Sequence, residues 1–239
     1  MNEEKFTGKA EVYDKFRPSY PDSLIDWLYE KTGAKTVADI GAGTGIFTKC
    51  LSAKPWKITA VEPNPDMLGI LKLNVPSIEI VNAPAENTGI PTVTIDLVTA
   101  AQAFHWFDKE KFKAECERIL TPNGHLAVVW NNHVPSDIMN ERNRIFDKYC
   151  GQSNSMAGGV TQVDLNVYFS EMEFFRMDNN MNMNEEQFIG YSLSHSYSIK
   201  ADNPNYEKFV DELRNAFAKF QHNGIVVIPQ ETECYLGRF

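Results

Sequence analysis

The sequence predicts an α/β protein built on an open, mostly parallel sheet, and three observations carry that expectation. Short apolar runs recur at 37–40, 58–61, 95–101 and 126–130, and polar residues and helical spacing intervene between them. The first run contains Asp39 and opens onto Gly41-Ala42-Gly43-Thr44-Gly45, after which Ile46-Phe47-Thr48-Lys49-Cys50-Leu51 resumes at helical period. The second run ends at Glu62-Pro63-Asn64, with Glu62 placed 21 residues after Gly41. A strand, a tight turn and a helix start form the place where such sheets bind nucleotide-like ligands. Glycine is needed because a side chain would stop the backbone from turning sharply and approaching the ligand.

Before the first strand, Ser23 to Lys31 carries Leu24, Ile25 and Leu28 at helical spacing, following Pro21-Asp22. Ahead of that helix, two prolines hold Tyr13 to Pro21 extended and expose its aromatic and basic side chains. This stretch is either a packed connector or a flap over the ligand site, in which Arg17 offers a guanidinium to a carboxylate and Tyr20 lines the pocket beside it. At the first turn, a dinucleotide fingerprint needs a glycine in its sixth position, and Ile46 stands there instead. Glu62 falls where a nucleotide-binding sheet places an acidic residue to accept both ribose hydroxyls. Asn64-Pro65-Asp66 starts the next helix, with Met67 in its first turn.

A short strand follows at 78–81, then Asn82-Ala83-Pro84-Ala85-Glu86-Asn87. The strand at 95–101 runs into Gln102-Ala103-Phe104-His105-Trp106-Phe107-Asp108. Lys109 to Leu120 presents Phe112, Cys116 and Ile119 on one helical face and is stopped by Thr121-Pro122-Asn123-Gly124. The fifth strand, 126–130, continues into Asn131-Asn132-His133, which makes His133 a second candidate for lining the pocket. Beyond it the expectations are a helix at 136–149, a polar loop at 151–159, a strand at 167–177 and a short helix at 184–191. Asn205 to Gln221 carries Tyr206, Phe209, Leu213, Phe217 and Phe220 as a core or lid stripe. Val226-Val227-Ile228 and Glu233-Cys234-Tyr235-Leu236 are expected to supply one antiparallel last strand.

The pattern Asp39-x-Gly41-x-Gly43-x-Gly45 resembles motif I of the class I S-adenosylmethionine-dependent methyltransferases. Arg17-Pro18-Ser19-Tyr20-Pro21 ahead of it resembles the methyltransferase type 11 group close to trans-aconitate methyltransferase, which acts on small molecules. The resemblance implies a Rossmann-like, seven-stranded, mostly parallel sheet with an antiparallel last strand, plus a helical cap. It implies one domain over 1–239, with a cofactor core and N-terminal flap at 1–133, cap and acceptor-specificity additions at 134–225 and the final strand at 226–239. The cofactor implied is S-adenosyl-L-methionine, released as S-adenosyl-L-homocysteine. Gly41, Ala42, Gly43 and Gly45 would lie under its methionine part, Asp39 would help hold its amino group, and Glu62-Pro63 would meet the ribose. Met67, Ala85 and Glu86 would meet the adenine, Ala101 and Gln102 the amino end, and His105 and Trp106 the acceptor. Pro84 departs from the pattern, since an acidic residue usually stands there and proline has neither a side-chain acceptor nor an N–H. His105 is either a general base or a packed ring that steadies its loop. A carboxylate acceptor needs no protein base, because the methyl carbon of a sulfonium is already activated.

Composition narrows the alternatives. A net charge of -9 with no basic run argues against a nucleic-acid partner. The N-terminal residues lack a signal-like apolar core, no run reaches membrane-spanning length, and four scattered cysteines suggest free thiols, so a cytoplasmic location is expected. No zinc-type cysteine pair and no Gly-x-Ser-x-Gly elbow is present, so neither a metal site nor a serine hydrolase is expected. The expected partner is a small-molecule methyl acceptor, a carboxylate being favoured by Arg17, and the oligomeric state is left open. A cofactor-binding protein without turnover and a nicotinamide-dependent oxidoreductase remain as alternatives, the latter disfavoured by the glycine spacing.

Overall fold

The computed structural model describes residues 8, 10–151, 165 and 168–239. Seven strands form one sheet in the order β3-β2-β1-β4-β5-β9-β6, where β1 is Thr36–Ile40, β2 Lys57–Val61, β3 Glu79–Val81, β4 Ile95–Ala101, β5 Leu120–His133, β6 Glu171–Asp178 and β9 Gln230–Arg238. The strands from β3 to β5 pair in parallel, whereas β9 runs antiparallel to both β5 and β6. Residues 37–40 of β1 are fully buried, as expected for a central parallel strand covered by helices on both faces.

Identifiable signals mark the ends of three helices that frame the sheet. On α4 (Pro65–Asn74), Asn64 accepts from the N–H groups of Asp66 and Met67, and Pro65 occupies the first helical position where no donor is needed. On α5 (Lys109–Ile119), Asp108 accepts from Lys111 N. The helix α2 (Asp22–Thr32) closes on Gly33 at φ 57, a left-handed C-cap. These ends place the segments 41–46, 62–67, 84–86 and 101–107 together at the carboxyl edge of the parallel strands.

Three corrections follow. Tyr13 to Phe16 is not extended: it belongs to the helix α1 (Ala10–Phe16), and only Arg17 to Pro21 runs irregularly into α2. The prolines at 18 and 21 restrict only the residues next to them, which leaves the helical turn ahead of Arg17 intact. Second, the Thr121-Pro122-Asn123-Gly124 turn does not separate helix from strand. Ile95 pairs with Leu120 and Leu97 with His125, so the extra residues bulge out within β5. Third, Val226–Ile228 (β8) does not extend the last strand. It pairs with Met181–Met183 (β7) in a separate two-stranded sheet, while β6, inside the segment expected to be cap, joins the main sheet. Pro229, which follows β8, separates it from β9. The expected loop at 151–159 lies outside the described residues apart from Gly151, as does the expected strand start at Val167.

A second cluster of apolar side chains joins α6 (Asp137–Cys150), α7 (Glu185–Leu193) and α8 (Tyr206–Phe220) to β7 and β8. Phe209, Leu213 and Phe217 from the expected stripe are buried there with Phe146, Phe188 and Val226, each such side chain contributing about 1.5–3 kcal/mol. The flap helix α1 bridges this cap and the sheet. Phe16 packs on Gly190 of α7, Lys15 pairs with Glu186 at 2.7 Å, and Asp14 accepts from Asn74 of α4 at 2.7 Å. A Cβ built on Gly190 would lie 2.5 Å from the Phe16 ring. Gly190→Ala should therefore lower stability by about 1–3 kcal/mol and speed amide exchange in 10–16, read by urea unfolding and hydrogen exchange; unchanged exchange in α1 would show that Phe16 does not hold the flap.

Candidate active site

The described residues wall a cleft at the carboxyl edge, open to solvent and flanked by the flap. Its floor is the glycine turn. Gly41 and Ala42 donate to Val61 O at 2.9 and 3.0 Å, which folds the turn back over β2. Gly41 sits at φ 71, and a Cβ there would come within 2.6 Å of Ala103, so both torsion and space demand glycine.

Glu62 joins two loops of the site. It is 7% exposed; one carboxylate oxygen accepts from Gly43 N at 2.8 Å and the other from Asn64 N at 2.8 Å. A carboxylate has about four acceptor positions, and Glu62 lines the cleft wall. Pro63, Asn64 and Met67 line the same wall, and Met67 is buried. Opposite them stand Pro84, Ala85 and Glu86; one Glu86 oxygen accepts from Asp108 N at 2.8 Å and ties this loop to the one after β4.

Ala101 and Gln102 complete the far wall with Ala103, Trp106 and Phe107. Gln102 holds φ 53, a left-handed conformation unusual for a non-glycine residue, and such strain costs on the order of 1–3 kcal/mol. It is held there by Gln102 N donating to Val129 O at 2.9 Å and by its side chain donating to Asn131 O at 3.0 Å. The flap contributes Tyr13, Arg17, Pro18 and Tyr20, with the Tyr20 ring edge-on to Phe47 at 4.7 Å.

Four expected site residues stand elsewhere. Asp39 is 1% exposed beneath the cleft floor: Thr48 donates to one of its oxygens at 2.6 Å and Thr99 to the other at 2.8 Å. Thr99 reaches it because the β1–β4 register sets the two residues side by side. Gly45 is the N-cap of α3 (Ile46–Leu51) and packs against Leu71 without lining the cleft. His105 is exposed on the single 3-10 turn Phe104–Trp106, with its ring 4.7 Å from Trp106, and does not line the cleft. His133 lies off the cleft, bonded through Nε2 to the Tyr191 hydroxyl at 2.7 Å, and burial together with Arg142 and Arg17 pushes its imidazole down to about 3. The remaining expected residues are brought together: Gly41, Ala42, Gly43, Glu62, Pro63, Met67, Ala85, Glu86, Ala101, Gln102, Arg17, Tyr20 and Trp106.

Sequence reasoning missed Phe107 and Asn131 as lining residues. Both follow strand ends, which was the available signal, but only the register shows that β5 presents Asn131 to Gln102. Among the described residues no group of three or more His, Cys, Asp or Glu side chains is disposed to hold a metal, and no helix is long and apolar enough to cross a membrane.

With this geometry in place, residues 38–128 match the family described as a methyltransferase domain. An uncharacterized methyltransferase of Mycobacterium tuberculosis is 38% identical over 126 residues, which are 53% of this chain and 51% of that protein. An uncharacterized methyltransferase-like protein of Schizosaccharomyces pombe is 36% identical over 131 residues, covering 52% of this chain and 51% of its own. The chain thus spans about half the length of the curated relatives it matches. In fold it resembles a candidate type II methyltransferase from Anaeromyxobacter dehalogenans, with a TM-score of 0.66 at 24% identity over 93% of this chain and 98% of that one. The YcgJ protein of Bacillus subtilis gives 0.55 at 17% identity, over 92% and 100%.

Burial pushes the Asp39 carboxyl up from 3.8 to about 6, against the pull of its two threonine donors. Because the folded state holds this proton more tightly than the unfolded chain, stability should be greatest below about pH 4 and fall as pH rises to about 6, for this group alone. Asp39→Asn should flatten that slope and recover up to about 3 kcal/mol at neutral pH. Urea unfolding of both proteins across pH 4 to 7.5 checks this, and identical slopes would contradict it.

Proposed function

We propose that the protein transfers a methyl group from S-adenosylmethionine to a small-molecule acid, a reading supported by the match of residues 38–128 to the methyltransferase domain family. The carrying observation is Glu62, buried at the end of β2 with the glycine turn on one side and Met67 and Ala85 lining the same cleft. These residues fit the cofactor. Glu62 would accept from the ribose hydroxyls, Met67 and Ala85 would flank the adenine, and Ala101 with Gln102 would face the amino-acid end. The Gly41 cradle, which a Cβ would fill, lets backbone approach it. Asp39 would act from beneath, by holding Thr48 and Thr99 and so the spacing of β1, β4 and α3.

When bound, the cofactor would supply an activated methyl carbon to an acceptor oxygen, with the thioether sulfur of S-adenosylhomocysteine keeping the electron pair of the broken C–S bond. A carboxylate loses no proton in that step. The titratable side chains of the cleft lining, namely Tyr13, Arg17, Tyr20, Glu62 and Glu86, include no histidine, which supports transfer by positioning and exclusion of water. Arg17 on the flap would hold the acid. A cytoplasmic location suits four cysteines that are all free thiols.

Calorimetry should show S-adenosylmethionine and S-adenosylhomocysteine binding and NAD failing to bind, with Glu62→Gln weakening the former by about 10- to 100-fold. Binding of NAD alone would overturn the proposal. His105→Ala should leave turnover within about threefold at saturating acceptor, since loss of a true general base costs about 100-fold or more. A loss of that larger size would restore His105 as the base.

A further inference from the structure

Behind the flap end of the cleft, positive charge gathers without a counter-ion among the described residues. Arg142 on α6 is 1% exposed, and its guanidinium meets only neutral groups: Ser192 Oγ at 3.2 Å, Asn143 Oδ1 at 3.5 Å and His195 Nδ1 at 3.0 Å. Arg17, which lines the cleft, donates to Ser194 O at 3.5 Å, and its Nε is buried with no hydrogen-bond partner. Among the described residues no carboxylate lies within ion-pair distance of either guanidinium, although every other arginine except Arg238 has one.

The two cations are held around one ring. Each guanidinium carbon lies 5.7 Å from the centre of Tyr191, whose hydroxyl bonds His133. Neither neighbouring imidazole alters the balance: burial and the two arginines hold His195 well below its ordinary value and His133 at about 3, so both are neutral. Buried charge is costly unless it is paired, and the described residues supply no carboxylate partner at the edge of a cleft that one of the arginines lines.

We propose that Arg142 is a specificity-determining residue of the acceptor subsite: together with Arg17 it makes the inner end of the cleft a two-cation field that admits acceptors of net negative charge and rejects those bearing an ammonium group. This deepens the methyltransferase reading and rests on it. Arg17 sits on the flap and is partly exposed, whereas Arg142 is fixed inside the cap, out of reach of screening salt. At an effective dielectric of about 20, a unit charge roughly 10 Å away gains about tenfold in affinity from such a residue.

The test uses the full chain saturated with S-adenosylhomocysteine, titrated in a calorimeter with glutarate, with its neutral diamide and with 1,5-diaminopentane. Glutarate alone should bind. Arg142→Gln should weaken it by about tenfold, while Arg142→Lys, which keeps the charge, should stay within about threefold of the parent. Should Arg142→Gln fail to fold, judged by its loss of S-adenosylhomocysteine affinity, the side-chain Nε–H resonances of Arg17 and Arg142 in the parent protein give a second readout. Both should shift with glutarate and with neither of the other probes. Equal glutarate affinity in parent and Arg142→Gln, no glutarate binding to the parent, or a resonance of Arg142 that does not move would each overturn the proposal. Failure of S-adenosylhomocysteine itself to bind would instead overturn the cofactor reading.

Discussion

The Glu62 carboxylate is the constraint on which the rest of the site depends. It stands one residue beyond β2, and the parallel register brings the end of that strand level with the glycine turn after β1. Its two oxygens hold Gly43 N–H and Asn64 N–H at 2.8 Å each, so one side chain fixes the glycine loop and the start of α4. Asn64 in turn caps α4 and places Met67 against the cleft. A charge-assisted bond of this kind is stronger than a neutral one.

Beneath that wall the sheet stores two unfavourable features close together. Asp39 is a buried carboxyl held only by threonine hydroxyls, and Gln102 is a non-glycine residue in the left-handed region. Neither improves folding; both belong to segments whose carboxyl ends form the cleft. Departures from local preference concentrate at functional sites, and these two flank the floor and the far wall. Neither His105 nor His133 is among the residues that line the cleft, which Tyr13, Arg17 and Tyr20 wall on one side.

What could be read from the residues was what is local. Glycine spacing, apolar runs and helix caps act over a few positions, so the central strands, α4, α5 and the place of Glu62 at the end of the second strand were all legible in advance. Contacts set by register or by packing between distant segments were not. Asp39 was expected beside the ligand, yet Thr99, 60 residues away, covers one of its oxygens. Val226–Ile228 has the β-branched composition of a core strand, but nothing in the three residues says that Met181–Met183 would be its partner. Arg142 lies within an ordinary amphipathic helix, and its contacts with Ser192 and His195 emerge only when α6 is packed against the segment that carries α7.

The most direct test of this account is a crystal structure with S-adenosylhomocysteine bound. The ribose hydroxyls should lie within hydrogen-bond distance of Glu62, the adenine between Met67 and Ala85, and the sulfur toward Gln102 on the side facing Arg17. Density for the ligand elsewhere, or in this cleft with no ribose hydroxyl within hydrogen-bond distance of Glu62, would contradict the claim that Glu62 organises a cofactor site.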